Sequence, residues 1–198
     1  MLILAADTSL PLLSVALVTD GTLVGAVVLE GRGSRNEKLL PAIDWLLSEN
    51  NVDRRTLDLL ALTRGPGSFT GVRIGLATMQ GLAVAIGKPV CAMSTHEAIA
   101  FGEPGRVAVT DDAGRGELYV STFDDGLETN PPHLGAPPAD VRVIDATGFI
   151  QRDNVALRCA RRAFEIAQRG EGERYSDVTP IYVRLAEAEV KLRQKQDA

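Results

Sequence analysis

Two places in this sequence put acids where chemistry could use them. The apolar run "LILAADTS" ends in Asp7, Thr8 and Ser9, and "VAVTDD" ends in Asp111 and Asp112. Paired carboxylates across a cleft can hold a hydrated magnesium ion that bridges phosphates, which would gather Asp7, Thr8, Ser9 and Asp112 (or Asp111) around a nucleotide. The alternative is that Asp7 caps its own turn by bonding to the backbone near Thr8 and Ser9. A third stretch, "TRGPGSFTGVRIG" at positions 63–75, is rich in glycine and could cradle a phosphate or launch a tightly packed helix.

The phosphate reading of that stretch fails on residue types. A P-loop needs a lysine to neutralise the β- and γ-phosphates, and none follows Gly65 before Lys88. The pattern G-x-G-x-x-G is missed by one residue in "GPGSFTG", and Pro66 lacks an N–H that a phosphate would take. The two histidines, His96 and His133, are far apart in sequence, so no H-x-x-x-H pair can present zinc ligands on a helix. They read as capping or solvated residues, and the metalloprotease class falls away. Ser68 has no histidine base in a recognisable arrangement.

Composition narrows the classes further. A net charge of −5 argues against a chain that grips nucleic acid by itself. The arginines 158, 161 and 162 and the group Lys191, Arg193 and Lys195 read as solvated helix faces. Cys91 and Cys159 have neither metal nor redox spacing and read as buried, reduced thiols. The start "MLILAADTS" lacks the basic flank of a signal peptide. The apolar stretch Ile74–Ile86 is too short for a bilayer and contains Gln80. A cytoplasmic protein without membrane contact is expected.

The elements that must position these residues follow from periodicity. "LILAADTS" is a buried strand. Ser14–Thr19 and Thr22–Leu29 are β-rich and joined by Asp20-Gly21, a hairpin signal. Leu39, Leu40, Ile43, Leu46 and Leu47 recur at helical spacing over Glu37–Glu49. "DLLALTRG" is a strand, Thr70–Ile86 a helix closed by Gly87, "KPVCAMS" a strand and "THEAIAFG" a short helix. The second half repeats the theme: two strands in "GRVAVTDDAGRGELYVSTFDDG", a loop over "LETNPPHLGAPPAD", a strand at "VRVID", a helix at "VALRCARRAFEIAQRG" and a charged C-terminal helix. Meanders followed by helices, twice, with an acid after each half's first strand, suggest an α/β chain of two ribonuclease-H-like lobes, residues 1–100 and a shortened 101–198. The C-terminal helix is free to pack back on the first lobe. That architecture underlies actin, Hsp70 and the sugar kinases.

Gly65-Pro66-Gly67 makes a corner, and Ser68 or Thr70 can cap the helix behind it. Gly71, Gly75, Thr78, Gly81 and Ala85 then share one helix face. Glycine in a helix costs about 1 kcal/mol against alanine, so a close backbone approach is expected in return.

At these residues the chain resembles the TsaB (YeaZ-type) family. The resemblance rests on "ILAADTS...SVAL", "LLP", "GPGSFTGVRIG" and "LATMQGLAVAIGKPVCAMST", and extends to "DDAGRGELYV" and "TPIYVR". It implies the two-lobed actin/Hsp70-like fold and a noncatalytic role in making threonylcarbamoyladenosine in tRNAs that decode ANN codons. The implied partners are a TsaD-like subunit, which carries the metal and transfers the threonylcarbamoyl group, and a small TsaE-like ATPase. In the absence of the TsaD-like subunit the partner is a second copy of the chain, and tRNA is met indirectly.

By position, the resemblance assigns the partner interface to Glu37–Glu49 and Thr70–Ile86, with Leu39, Leu40, Ile43, Leu47, Thr70, Gly71, Ile74, Gly75, Thr78 and Leu82 as its residues. No metal or cofactor is implied for this chain; ATP or ADP with magnesium belongs to the complex. A departure supports this, since the family's late glycine-rich nucleotide segment has no clear counterpart between Thr147 and Arg158. The competing function is a weak nucleotide-binding ATPase or transferase centred on Asp7.

Overall fold

The computed structural model describes residues 1–30 and 35–184. β1 (Leu2–Asp7), β2 (Leu12–Thr19) and β3 (Thr22–Glu30) form an antiparallel meander. Asp20 and Gly21 join the last two with φ of 48° and 78°, the positive values a two-residue hairpin turn requires. The chain then crosses through α1 (Arg35–Glu49) to β4 (Leu59–Thr63), parallel to β1, and through α2 (Phe69–Ile86) to β5 (Val90–Met93), parallel to β4. The first sheet therefore runs β3-β2-β1-β4-β5.

After the short α3 (Thr95–Ala100), a second sheet repeats the beginning of this order. β6 (Arg106–Gly114), β7 (Glu117–Asp124) and β8 (Leu127–Gly135) make a meander, and β9 (Arg142–Asp145) joins parallel to β6. Its order is β8-β7-β6-β9. The stretch expected as a loop is thus partly the strand β8. Pro131 and Pro132 interrupt its pairing with β7. An edge strand tolerates this because one side needs no ladder bonds. α4 (Ala146–Phe149) and α5 (Val155–Gln168) follow. The C-terminal helix expected from sequence lies outside the described residues.

Alternation along the strands divides the core. In β1, Leu4 and Ala6 face α1 and α2, while Ile3 and Ala5 face the opposite cluster, as a two-residue period demands. That second cluster contains α5, α3 and the inner side of the second sheet. The strand residues Ala5, Ala16 and Ala61 meet Ala156, Cys159, Ala160 and Ala163 of α5 there. Small side chains on both sides let the helix lie close to the sheet. Ser14 Oγ accepts from the Ala156 N–H at 3.2 Å and fixes the start of α5 on β2. The second half of the chain is therefore anchored on the first sheet.

The glycine row of α2 divides between core and solvent. Ser68 caps it, its Oγ accepting from the Gly71 N–H at 3.2 Å. Gly71 and Gly75 are buried, and a Cβ on either would overlap Thr8: its carbonyl oxygen at Gly71, its Oγ1 at Gly75. Gly81 is exposed with nothing within 4 Å of an added Cβ. The expected close approach is real, but for Gly71 and Gly75 it is made to this chain's own β1–β2 turn. At 18 residues, α2 is also longer than the apolar stretch read from sequence, and is long and apolar enough to cross a membrane by length and composition. Here Val72, Leu76, Met79 and Leu82 build it into the core.

Two substitutions separate the glycines. Gly71→Ala should lower stability by roughly 1–3 kcal/mol, the cost of overpacking against backbone. Gly81→Ala should leave stability unchanged or raise it by up to about 1 kcal/mol through helix propensity. Denaturant unfolding of the two variants checks this, and equal midpoints would refute the assigned packing.

Candidate functional site

Asp7 stands at the end of β1, only 1% exposed. Its Oδ1 accepts from the Ser9 N–H at 3.2 Å, from Ser9 Oγ at 2.5 Å and from Thr63 Oγ1 at 2.5 Å. Ser9 Oγ also lies 2.9 Å from Thr95 Oγ1. Thr8 Oγ1 donates to the Gly71 carbonyl at 2.7 Å, and the Ser68 N–H donates to the Ser9 carbonyl at 2.7 Å. Asp7, Thr8 and Ser9 are thus brought together, and their polar atoms face β4, α2 and α3. Asp7 Oδ2 is buried without a partner. Burial raises the Asp7 pKa above its ordinary value, against the hydrogen bonds from Ser9 and Thr63, because a low-polarity interior disfavours the charged form.

Of the acid pair on β6, the inward residue is Asp111. Asp112 is exposed, and its Oδ1 accepts from the Gly114 N–H at 2.7 Å, capping the strand end. Of the two acids offered with Asp7, Asp112 therefore points to solvent and Asp111 into the packing, since strand alternation turns successive side chains to opposite faces. Burial pushes the Asp111 carboxyl up to about 6, with further upward contributions from the negative charges of Asp112, Asp145 and Asp7. Among the described residues, no group of three or more His, Cys, Asp or Glu is placed to hold a metal ion.

The remaining candidates divide between core and surface. His96 is neither solvated nor a cap: it is fully buried, its Nδ1 2.8 Å from Ser121 Oγ, and burial lowers its pKa to about 3. The cap of α3 is Ser94, which accepts from the Glu97 N–H. His133 Nδ1 lies 2.9 Å from the Pro131 carbonyl. Cys91 and Cys159 are buried and free. Arg161 is exposed, but Arg162 is buried and paired with Glu97 at 3.0 Å, while Arg158 holds Asp153 and Glu103. These two arginines are internal ties rather than a solvated face. Lys191, Arg193 and Lys195 lie outside the described residues.

On α1 and α2 the interface candidates separate in the same way. Leu39, Ile43, Leu47, Gly71, Gly75 and Leu82 are buried in this chain's own core and form no outward surface. The strongest apolar period of a surface helix marks its core side, whereas the resemblance assigns the two helices by position without separating their faces. Leu40 and Thr70 are exposed, and Ile74 and Thr78 half-buried. The outward side also carries residues outside that set. Phe69, Arg73, Ala77 and Gly81 follow one another at i, i+4 on α2, followed by Val84, which is 83% exposed. On α1, Trp45 is 53% exposed. The spacing 69-73-77-81 was present in the sequence as the only signal for this stripe.

Asp111 supplies a pH test. Its pKa is about 6 in the folded chain against 3.8 for an unperturbed aspartate, so the stability it contributes is full below 3.8 and is lost as pH rises through 6. Asp111→Asn should therefore raise the melting temperature at pH 7 and leave it nearly unchanged at pH 4. Paired thermal melts check this, and a lower melting temperature for the variant at pH 7 would refute it.

With this geometry in hand, comparisons with known proteins give a consistent answer. The family model described as "TsaD: tRNA N6-adenosine threonylcarbamoyltransferase" matches residues 33–136. The tRNA threonylcarbamoyladenosine biosynthesis protein TsaB of Bacillus subtilis is 29% identical over 231 residues, covering 99% of this chain and 100% of the relative. That alignment is longer than the 198 residues here, so this chain is the shorter of the two by gaps. The protein of the same name from Escherichia coli is 39% identical over 128 residues, 62% of this chain and 55% of the relative. The solved structure of YeaZ from Pseudomonas aeruginosa superposes with a TM-score of 0.73 at 28% identity, covering 91% of this chain and 99% of that one. An activator of 2-hydroxyisocaproyl-CoA dehydratase from Clostridium difficile shares the fold at 10% identity, with a TM-score of 0.54 over 87% of this chain and 98% of that one. Its sheet order, its "GPGSFTG" corner and these likenesses place the chain in the TsaB/YeaZ family, on the actin/Hsp70/sugar-kinase-like fold.

Proposed function

We propose that this chain is a noncatalytic subunit in tRNA threonylcarbamoyladenosine synthesis, which pairs with a TsaD-like transferase through the outward side of α1 and α2 and activates it. One observation carries the reading: the solvent side of these helices holds Leu40, Trp45, Phe69, Ala77, Gly81 and Val84, with no charge in the α2 stripe except Arg73. Large apolar side chains exposed on two neighbouring helices mark an interaction surface, and Gly81 and Ala77 let a partner helix approach closely. A TsaE-like ATPase joins the assembly, and a second copy takes the same face when the transferase is absent.

Mixing the chain with a separately purified TsaD-like protein tests this by sedimentation. The wild-type chain should co-sediment. Trp45→Glu and Gly81→Arg should each weaken pairing by roughly 30-fold or more, the size of an interface hot spot, with melting temperatures unchanged. Failure of the wild-type chain to pair, or normal pairing by both variants, would overturn the reading.

A further inference from the structure

At the N-terminal end of the α2 stripe, a residue from the far end of the chain completes a small cluster. Phe69 and Tyr182 stack with ring centroids 5.0 Å apart and an interplanar angle of 30°. The guanidinium carbon of Arg73 sits 3.8 Å from the Phe69 centroid and 5.6 Å from that of Tyr182. Arg73 Nε donates to Tyr182 Oη at 2.7 Å. Tyr182 is held by its neighbours in turn: the Ile181 N–H donates to the Arg64 carbonyl at 2.8 Å, and Arg184 pairs with Glu117. All three cluster residues are exposed. Arg73 has no carboxylate partner among the described residues.

We infer that Arg73 is a preorganised anchor for a carboxylate of the partner protein that docks on α1 and α2; the inference rests on the pairing proposed above. The aromatic rings fix the plane of the guanidinium, and the Tyr182 hydroxyl takes its Nε–H. Its two terminal nitrogens remain with their donors in the fork geometry that matches a carboxylate. Because the side chain is already ordered, docking loses little rotamer freedom. The stripe next to it, Ala77, Gly81 and Val84, is uncharged, so an arriving carboxylate meets one cation inside an apolar patch, the setting in which a charged hydrogen bond is least weakened by water. A nucleic-acid backbone fits this face less well. Arg73 is the one cation in the α2 stripe, and the neighbouring helix sets Glu37 and Glu49 against Lys38, with Asp44 paired to Arg54, on a chain of net charge −5, so there is no row of cations for successive phosphates.

The test uses the full chain, the purified TsaD-like protein and a titration at low and at high salt. Arg73→Ala should weaken pairing by roughly 10- to 100-fold, and Arg73→Lys by about tenfold, since an ammonium keeps the charge but loses the fork. Tyr182→Phe keeps the stacking, removes the acceptor for Nε and should cost roughly threefold. Wild-type pairing should weaken as salt rises, and pairing by Arg73→Ala should lose that dependence; a purely structural role for Arg73 would leave the salt slope alone. Melting temperatures of the variants should match the wild type. Wild-type affinity in Arg73→Ala overturns the anchor while leaving the pairing reading intact, as does an undiminished salt slope. A variant that pairs normally but loses tRNA retention assigns Arg73 to nucleic acid instead and overturns it too. If the wild-type chain itself does not pair, both readings fall together.

Discussion

The backbone of α2 lies against the turn between β1 and β2 at a separation that leaves no room for a side chain at Gly71 or Gly75. Two hydrogen bonds hold it there, from Thr8 Oγ1 to the Gly71 carbonyl and from the Ser68 N–H to the Ser9 carbonyl. A larger residue at either glycine would separate the helix from the turn, and the lost contacts would run along its whole inner side, since interiors are packed like crystals. The rotation of α2 about its axis follows from this contact. With Gly71 and Gly75 turned to Thr8, and Leu76 and Met79 to the core, the row Phe69, Arg73, Ala77 and Gly81 is left on the outward side, where Tyr182 covers only its first turn.

The same contact determines what the acids of this fold can do. Asp7 is pulled under the turn, where Ser9 and Thr63 donate to it and α2 closes over Thr8. Its burial and upward-shifted pKa belong to an internal link between three elements. Asp111, on the matching strand of the second sheet, is buried as well, and the negative charges near it add to the shift.

The second sheet is joined to the first by shared core and by buried charge. α5 lies on β1, β2 and β4 with its alanines inward, and on its polar side Arg162 bridges to Glu97 and to Tyr175. The Tyr175 hydroxyl donates to the same Glu97 oxygen at 2.7 Å. Removing Arg162 would leave Glu97 without its cation inside the packing, the costly case for internal charges. This triangle ties the C-terminal part of the chain back to α3. From there the backbone runs on to Ile181 and Tyr182 beside the start of α2. A residue late in the sequence thereby becomes a neighbour of Phe69.

Local signals were enough for much of this. The Asp20-Gly21 turn, the alternating strands, the Ser68 cap and the repeated order of elements all depend on neighbours within a few positions, and the family resemblance rests on short contiguous stretches. The strand β8 escaped because its prolines signal a loop unless the strand is known to be an edge, which is a property of the sheet. Burial of Arg158, Arg162 and His96 escaped because their partners come from other elements. The interface residues show the limit most clearly. The resemblance assigns whole helices to an interface, and no local signal says which face lies opposite the core, so Leu39, Ile43, Leu47, Gly71, Gly75 and Leu82 are placed there although they fill the core. The sequence by itself determined which residues form α2 and that its glycines permit a close approach. Only the tertiary structure decided that Gly71 and Gly75 meet Thr8 while Gly81 meets solvent, because that choice depends on where β1 turns into β2, far away along the chain and adjacent in space.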